Sequence, residues 1–324
     1  MNLIELRNNL PTELDCIEYA ENIRWPKGVK CVYCESKKLG ERNADYRYHC
    51  KDCQKSFSVK TKTVLHDSRL PLSTWFSAIS VITDAKKGMS AKQLERNIGV
   101  SYETAWTMYH KLRDLMEWEA PEPDELKGVV EMDETYIGGK PRRMGKSLNA
   151  LKKIPKLDAE IKELKERGHS FRRLRGNSAK PTERKGMAAK TRVTGIVQRN
   201  GSVIAEVMRS ISQDEIKDMV KKYVDEDKAV LITDQSNLYA RINKVIDHIA
   251  IDHSRLYSYR GVNTNSIESF WAIIKRGLIG QYHRVSPKYL PQYISEFVFK
   301  YNNRKEDEYM FEVLVENALT VIHR

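Results

Sequence analysis

Three acidic residues stand where a metal-dependent phosphoryl transfer site would need them. Asp133 and Asp234 each end a short apolar run, the pattern of a buried strand that delivers a side chain at its C-terminal edge. Glu268 lies in a stretch with apolar residues three and four apart, which predicts a helix with one buried face. Three carboxylates brought together would repel one another without cations, and their hard oxygen atoms favour Mg²⁺ or Mn²⁺. Two such ions can activate the attacking oxygen and stabilise the leaving oxygen of an in-line displacement.

A lysine follows on the same predicted helix. Lys275 lies seven residues after Glu268, two helical turns, so both share one side of the helix. An ammonium group near a metal-binding carboxylate is placed to meet a phosphate. Each residue alone has a more ordinary interpretation, since an aspartate at a strand end is often a helix cap and a lone lysine usually lies on the surface. The hypothesis of a metal site therefore depends on the occurrence of all three acids together.

Four other acids compete for a place in this site. Asp247 and Asp252 lie near the next predicted strand and are the main rivals for the second acid. Glu131 and Glu134 flank Asp133, and we expect side-chain alternation to place both on the opposite face of the strand. These two are therefore left out of the predicted site.

The cysteines predict a second, structural metal site. Cys31 and Cys34 form one C-x2-C pair, fifteen residues follow, and Cys50 and Cys53 form another. This spacing is typical of a zinc ribbon, in which four thiolates hold one tetrahedral Zn²⁺ and leave no open coordination position. Disulfides are the weaker alternative for an intracellular chain. Cys16 stands apart, and we expect an ordinary buried thiol.

The region after the ribbon predicts a helix-turn-helix. Ser90 is suited to cap a short helix, Gly99 to make the turn, and Ser101 to cap a second helix. On the exposed side of the second helix, three residues could reach base edges in a major groove, namely Tyr102, Thr104 and Thr107. A plain helical hairpin remains the alternative.

The order of elements predicts an α+β chain of three domains. An N-terminal helix and zinc ribbon would occupy 1–60, the helix-turn-helix 61–120, and a mixed α/β domain 121–324. In the last domain the pattern reads strand, hairpin around Asn200-Gly201, helix, strand, short helix, short strand, helix. This is the layout of the ribonuclease-H-like fold. In that fold the first strand and the strand after the first helix are neighbours, which would bring Asp133 and Asp234 together.

The charge of the chain favours a polyanionic partner. The net charge is +12, and residues 141–190 hold 16 Lys/Arg against 5 Asp/Glu. Such a basic insert can bind nucleic acid by neutralising phosphates, or it can be a solvated spacer. No apolar run approaches the roughly 18 residues of a membrane span, and the first residues lack the layout of a secretory signal. We therefore expect a cytoplasmic protein.

Several motifs together resemble a known family. They are the four-cysteine ribbon, the run Met132-Asp-Glu-Thr-Tyr-Ile-Gly-Gly-Lys140, Thr233-Asp234, and the Asn263–Gly277 block followed by Tyr282-His-Arg-Val-Ser-Pro-Lys288. Over nearly its whole length the chain resembles bacterial insertion-sequence transposases of the zinc-ribbon group with a DDE-type domain. The resemblance implies a Mg²⁺-dependent enzyme that binds terminal inverted repeats and target DNA as a homo-oligomer.

The resemblance also implies roles for particular residues. Asp133 and Asp234 match the first two acids of the family. The third position matches Glu268, with Asn265 as the alternative, and Lys275 would contact the DNA end. Two other functions stay open: a non-catalytic DNA-binding regulator, and a nuclease or junction resolvase of the same fold.

Overall fold

The computed structural model describes residues 1–117, 126–138, 190–208, 212–251, 263–305 and 309–320. Residues 1–135 and 192–324 form one compact unit, and 136–191 form a second, of which little is described. The basic insert at 141–190 lies outside the described residues apart from its last position, so its role stays a prediction. No helix in the described part of the chain is long and apolar enough to cross a membrane.

Two capped helices precede the ribbon. α1 (Leu3–Asn9) and α2 (Glu13–Arg24) each begin with a capping box, in which the first residue outside the helix and an acid three positions on satisfy each other's backbone N–H groups. The ribbon strands β1 (Tyr48–His49) and β2 (Ser56–Phe57) are antiparallel and only two residues long. Phe57 packs edge-on against Trp25 at the end of α2, with ring centroids 6.0 Å apart, and this contact attaches the ribbon to the helix.

Three helices follow, and their limits confirm the predicted capping signals. They are α3 (Leu72–Asp84), α4 (Ala91–Ile98) and α5 (Tyr102–Met116). The hydroxyls of Ser90 and Ser101 accept hydrogen bonds from the first turns of α4 and α5. Gly99 ends α4 with φ of 72°, a left-handed conformation that glycine adopts without steric cost.

A five-stranded sheet lies at the centre of the following region. Its elements are β3 (Leu126–Ile137), β4 (Thr191–Gln198), β5 (Val203–Met208), α6 (Gln213–Tyr223), β6 (Val224–Asp234) and β7 (Asp247–Ile251). The strand order is β5-β4-β3-β6-β7, with β6 parallel to both β3 and β7 and β5 antiparallel to β4. The predicted adjacency of the first strand and the strand after the first helix is therefore confirmed. The predicted short helix between β6 and β7 is instead two 3-10 turns, Asn237–Tyr239 and Ile242–Lys244.

Three helices complete the chain. α7 (Asn265–Gly277) continues into a π-helical turn (Leu278–Tyr282), and α8 (Leu290–Asn302) and α9 (Tyr309–Thr320) follow. One face of the sheet packs on α6. Residues of α9 belong to a core that they share with the N-terminal helices, where the rings of Phe76 and Phe311 lie 5.9 Å apart. The three predicted domain limits stay predictions.

Candidate active site and zinc site

Asp133 and Asp234 lie at the same level on neighbouring parallel strands. The last pair in register between β3 and β6 is Glu131 with Ile232, and each aspartate comes two residues later. Burial, together with the negative charges of Glu134 and Asp234, raises the pKa of Asp133 from 3.8 to about 6. The charge of Asp234 is therefore felt at Asp133, and the catalytic role of the two aspartates stays a prediction.

One oxygen of Asp234 is buried without a partner. Its Oδ1 atom has no hydrogen bond to any residue that the structure describes. A buried carboxylate oxygen without a donor is costly unless a cation compensates it. Carboxylate oxygens are the ligands that Mg²⁺ and Mn²⁺ prefer, so the two aspartates suit a divalent ion.

Glu134 contributes to the electrostatics of these aspartates although it was left out of the prediction. Its Oε2 atom accepts a hydrogen bond of 2.6 Å from the hydroxyl of Tyr239, which lies just after β6. Burial raises the pKa of Glu134, and the charge of Asp234 adds to the effect. Three acids therefore share this edge of the sheet, with Glu134 tethered to Tyr239.

The prediction that Glu131 points away from Asp133 is wrong. Residues two positions apart on a strand point to the same face, and both side chains contact α7. The carboxylate of Glu131 accepts hydrogen bonds from the backbone N–H groups of Ser266, at 2.8 Å, and Ile267, at 3.1 Å. Asp133 accepts one of 3.0 Å from the indole N–H of Trp271. The strand that carries Asp133 thus contacts α7 at two levels.

A glycine allows the indole to lie across the sheet. A Cβ atom at Gly195 of β4 would lie only 2.7 Å from the ring of Trp271, closer than real Cβ contacts come. Any larger residue at this position would displace the ring that donates to Asp133. Neither the role of Gly195 nor that of Trp271 follows from local sequence pattern, because β4 and α7 are distant in the chain.

The remaining candidates lie on or near α7. Glu268 is exposed and accepts a 3.0 Å hydrogen bond from the hydroxyl of Thr264, while Lys275 and Asn265 are also exposed. Among the described residues, only the four ribbon cysteines form a group of three or more metal-ligating side chains whose donor atoms all lie within 4.8 Å of one another. The choice of Glu268 or Asn265 as the third ligand therefore stays a prediction.

The two rival acids can be placed in part. Asp247 pairs with Val230, whereas Asp234 pairs with Ile251, so Asp247 lies at the opposite end of β7 from Asp234. Four residues of strand separate the two levels, about 13 Å. Asp252 lies outside the described residues.

The four predicted zinc ligands come together. The Sγ atoms of Cys31 and Cys53 are 3.6 Å apart, as are those of Cys34 and Cys50. A disulfide would require about 2.05 Å. Four sulfurs around one tetrahedral zinc, with bonds of about 2.3 Å, lie about 3.8 Å apart. The spacing fits a zinc site, and Cys16 is a separate buried thiol as expected.

The predicted base-reading residues lie at the start of α5. Tyr102 is 49% exposed and Thr107 is exposed, whereas Thr104 is half-buried and its hydroxyl lies 2.9 Å from that of Ser101. Two of the three side chains are thus accessible to a ligand. Their contact with DNA stays a prediction.

A buried charge cluster joins α5 to α8. The carboxylate of Glu296 is fully buried and accepts hydrogen bonds from Arg113 at 2.9 Å, Lys300 at 2.7 Å, Tyr109 at 2.6 Å and Tyr282 at 2.9 Å. Burial alone would raise the pKa of Glu296, but the charges of Lys300 and Arg113 outweigh it and lower the pKa to about 2. The carboxylate is therefore ionised at neutral pH and couples the two helices.

Two family models match the chain. Residues 125–302 match the family model described as the ISXO2-like transposase domain, and residues 11–56 match that of the transposase zinc-ribbon domain. An uncharacterized protein in transposable element ISH50 of Halobacterium salinarum is 36% identical over 118 residues. The match covers 36% of this chain and 38% of that relative, so the chain spans well under half of the relative's length.

Proposed function

Since the chain belongs to the family of ISXO2-like transposases, we propose that it cuts and joins DNA at the ends of an insertion sequence. The substrate is double-stranded DNA that carries the terminal inverted repeats, together with a target duplex. The reaction is an in-line phosphoryl transfer that depends on Mg²⁺ or Mn²⁺. The protein works as a homo-oligomer that brings two ends together.

The observation that carries this proposal is the pair of aspartates at one edge of the sheet. Burial and neighbouring charge raise the pKa of Asp133 to about 6, and Asp234 has a buried oxygen without a donor among the described residues. These two carboxylates, with Glu268 as third ligand, would hold the divalent ions. When bound, the ions supply activation of the attacking oxygen and stabilisation of the leaving oxygen.

The strand order supports a ribonuclease-H-like catalytic domain. Numbered along the sheet's own strands, the order is 3-2-1-4-5, with the first and fourth strands parallel and neighbouring. Because β3 and β6 are parallel neighbours in this order, their C-terminal ends lie side by side. The helix α7 contacts β3 through the hydrogen bond from the indole of Trp271 to Asp133.

The other parts of the chain would hold the DNA. The exposed Lys275 would meet a phosphate of the DNA end, and Tyr102, Thr104 and Thr107 would contact bases in the inverted repeat. The zinc ribbon would assist recognition of the end. The basic insert would bind the DNA backbone, which predicts that end binding falls steeply as salt is added.

The decisive experiment compares Asp234→Asn with Asp247→Asn. Both variants remove one negative charge from β6 or β7, but Asp247 is exposed and lies at the end of β7 that is far from Asp234. Each purified protein is incubated with a labelled duplex of the element end, with and without Mg²⁺, and the products are mapped. We expect Asp234→Asn to bind the end and lose cleavage at least a hundredfold, while Asp247→Asn cleaves as the wild type does.

The products separate this function from its two rivals. Joined products as well as nicks are expected from a transposase, whereas nicks alone would indicate a nuclease or resolvase. Equal cleavage by wild type and Asp234→Asn, or none by the wild type with Mg²⁺ or Mn²⁺, would contradict the proposal and favour a DNA-binding regulator.

A second comparison identifies the third ligand. Glu268→Gln and Asn265→Ala change neighbouring exposed positions at the start of α7. We expect the first to abolish cleavage without loss of end binding and the second to preserve it. The reverse result would assign the third ligand to Asn265.

A further inference from the structure

The segment that runs from the last turn of α7 to the start of α8 has basic residues and no acidic ones. Residues Lys275–Lys288, here called the basic segment, contain no aspartate or glutamate. Its five basic residues, all exposed, are Lys275, Arg276, His283, Arg284 and Lys288. None of the four Lys and Arg side chains forms an ion pair within the part of the chain that the structure describes. The segment therefore carries a concentrated positive charge that has no counter-charge in the described protein.

An exposed apolar side chain lies in the middle of this charge. Ile279 is 73% exposed, and it belongs to the π-helical turn between the basic residues of α7 and those of the following loop. A lone exposed isoleucine is unremarkable by itself. Its position among basic side chains that form no ion pairs suggests a role, because apolar side chains in a basic surface can contact the sugars and bases of DNA between the phosphate contacts.

The basic segment is fixed to the protein beneath it. The hydroxyl of Tyr282 donates to Glu296 at 2.9 Å and lies 3.2 Å from that of Tyr109 on α5. A Cβ atom at Gly277 would lie 2.8 Å from the carbonyl oxygen of Lys87 and 2.4 Å from the ring of Phe297. The segment is therefore packed too closely to move independently of α5 and α8.

Its two ends meet the two functional helices. It starts on α7, seven residues after Glu268, and it ends beside α5. The ammonium of Lys288 lies 5.2 Å from the centre of the Tyr289 ring, and that ring lies 5.6 Å from the ring of Trp106 on α5. A duplex that contacts both helices would lie along this segment.

We infer that the basic segment is the surface on which the end DNA passes from the recognition helix α5 to the active site. The Lys and Arg side chains of 276–288 neutralise phosphates, and Ile279 contacts sugar or base atoms between them. This inference rests on the proposed function and assigns a DNA contact to residues beyond Lys275. A second copy of the chain is disfavoured as the occupant, because two such surfaces would repel each other.

The test measures the salt dependence of end binding in full-length protein that retains its zinc, without Mg²⁺ or Mn²⁺. The variant Arg284→Gln/Lys288→Gln removes two positive charges from the segment. The control Lys221→Gln/Lys244→Gln removes two exposed charges from α6 and the turn after β6. The slope of log K against log salt is negative, and each lost phosphate contact makes it less steep by about 0.9. We expect the steepness to decrease by about two in the first variant and to stay unchanged in the control.

The outcomes distinguish this inference from the proposed function. An unchanged slope in Arg284→Gln/Lys288→Gln, with a wild type that binds the end, would overturn the inference alone. Failure of the wild type to bind ends would instead overturn the proposed function. Because target DNA is absent from this assay, a segment that served only the target would also leave the slope unchanged and contradict the inference.

Ile279 is tested in the same assay. We expect Ile279→Ala to weaken end binding several-fold without changing the salt slope, since an apolar contact releases no counterions. Light scattering of Ile279→Asp tests the alternative that Ile279 lies in an interface between copies of the chain, because it measures the oligomeric state. A shift from oligomer to monomer with unchanged end affinity would assign Ile279 to an interface between copies and overturn its contact with DNA.

Discussion

Glu131 and Arg199 form an ion pair at the N-terminus of α7, with 2.7 Å between Arg199 Nε and Glu131 Oε1. Arg199 also donates to the backbone oxygen of Asn263 at 2.8 Å. The residue before the helix, Thr264, makes no side-chain capping bond, so Glu131 caps α7 from the neighbouring strand. The strand that bears Asp133 thereby fixes the start of the helix that bears Glu268.

The first prediction concerns this cap. Glu131→Gln should lower the free energy of unfolding by about 3 kcal/mol, because it leaves Arg199 without its counter-charge and turns a donor toward backbone N–H groups. Urea unfolding measures the change. If Glu131 also positions Glu268, the Mg²⁺ concentration needed for half-maximal cleavage should rise.

A matched control separates this effect from a general loss of charge. Glu226 is an exposed acid on β6 of the same sheet, and Glu226→Gln should change stability by less than about 0.5 kcal/mol. Equal stability of the two variants would show that the cap contributes nothing.

The second prediction is a pH dependence that Asp133 imposes. Its pKa is 3.8 as a model value and about 6 in the folded chain, so folding favours the protonated acid. The favourable contribution is complete below pH 3.8 and is lost as pH rises through about 6. At pH 8 without divalent ions other than zinc, Asp133→Asn should therefore be more stable than the wild type by about 2 kcal/mol.

Mg²⁺ should reverse this difference. The ion binds the ionised carboxylate, so it should stabilise the wild type more at pH 8 than at pH 5 and leave Asp133→Asn little changed. Thermal unfolding at the two pH values, with Asp247→Asn as control, measures both effects. A wild type whose melting temperature does not respond to Mg²⁺ or Mn²⁺ would count against metal binding at Asp133.

The third prediction concerns the zinc site. Cys50→Ser should lose the metal and unfold the ribbon, because the short strands β1 and β2 bury too little surface to fold without it. Cys16→Ser changes a buried thiol outside the cluster and should retain one zinc per chain. Elemental analysis gives the zinc content, and end binding should weaken only in Cys50→Ser. Undiminished end binding after zinc loss would remove the ribbon from recognition.

The fourth prediction concerns Glu296. Glu296→Gln should destabilise the protein by about 4 kcal/mol, because Arg113 and Lys300 remain buried without their shared counter-charge. In the wild type the pKa is lowered from 4.5 to about 2, so this contribution is present above pH 4.5 and is lost as pH falls through 2. Tyr282→Phe removes one hydrogen bond and should cost about 1 kcal/mol. The exposed Glu316→Gln is the control in urea unfolding.

Local signals in the sequence predicted the local structure well. Ser90, Gly99 and Ser101 gave the limits of α4 and α5, and Asn200-Gly201 gave the β4–β5 turn, because each acts through its own neighbours. The adjacency of β3 and β6 came from the order of elements, which the fold restricts to few arrangements.

What was missed depends on contacts between distant residues. Arg113 and Glu296 meet although 183 positions separate them, and no short pattern marks either residue. The misplacement of Glu131 had a different cause, since strict alternation along β3 already puts it on the face of Asp133. The unpredicted helix α9 had a usable signal in the helical spacing of Phe311, Leu314 and Leu319.

The placement of α9 has a consequence for how the protein is made. Phe311 fills a core whose other walls come mainly from the N-terminal helices, so those helices cannot complete their packing until α9 has been translated. A premature stop ahead of α9 would leave the hydrophobic face around Phe76 uncovered. Because an exposed apolar face promotes aggregation, we expect such a fragment to be insoluble.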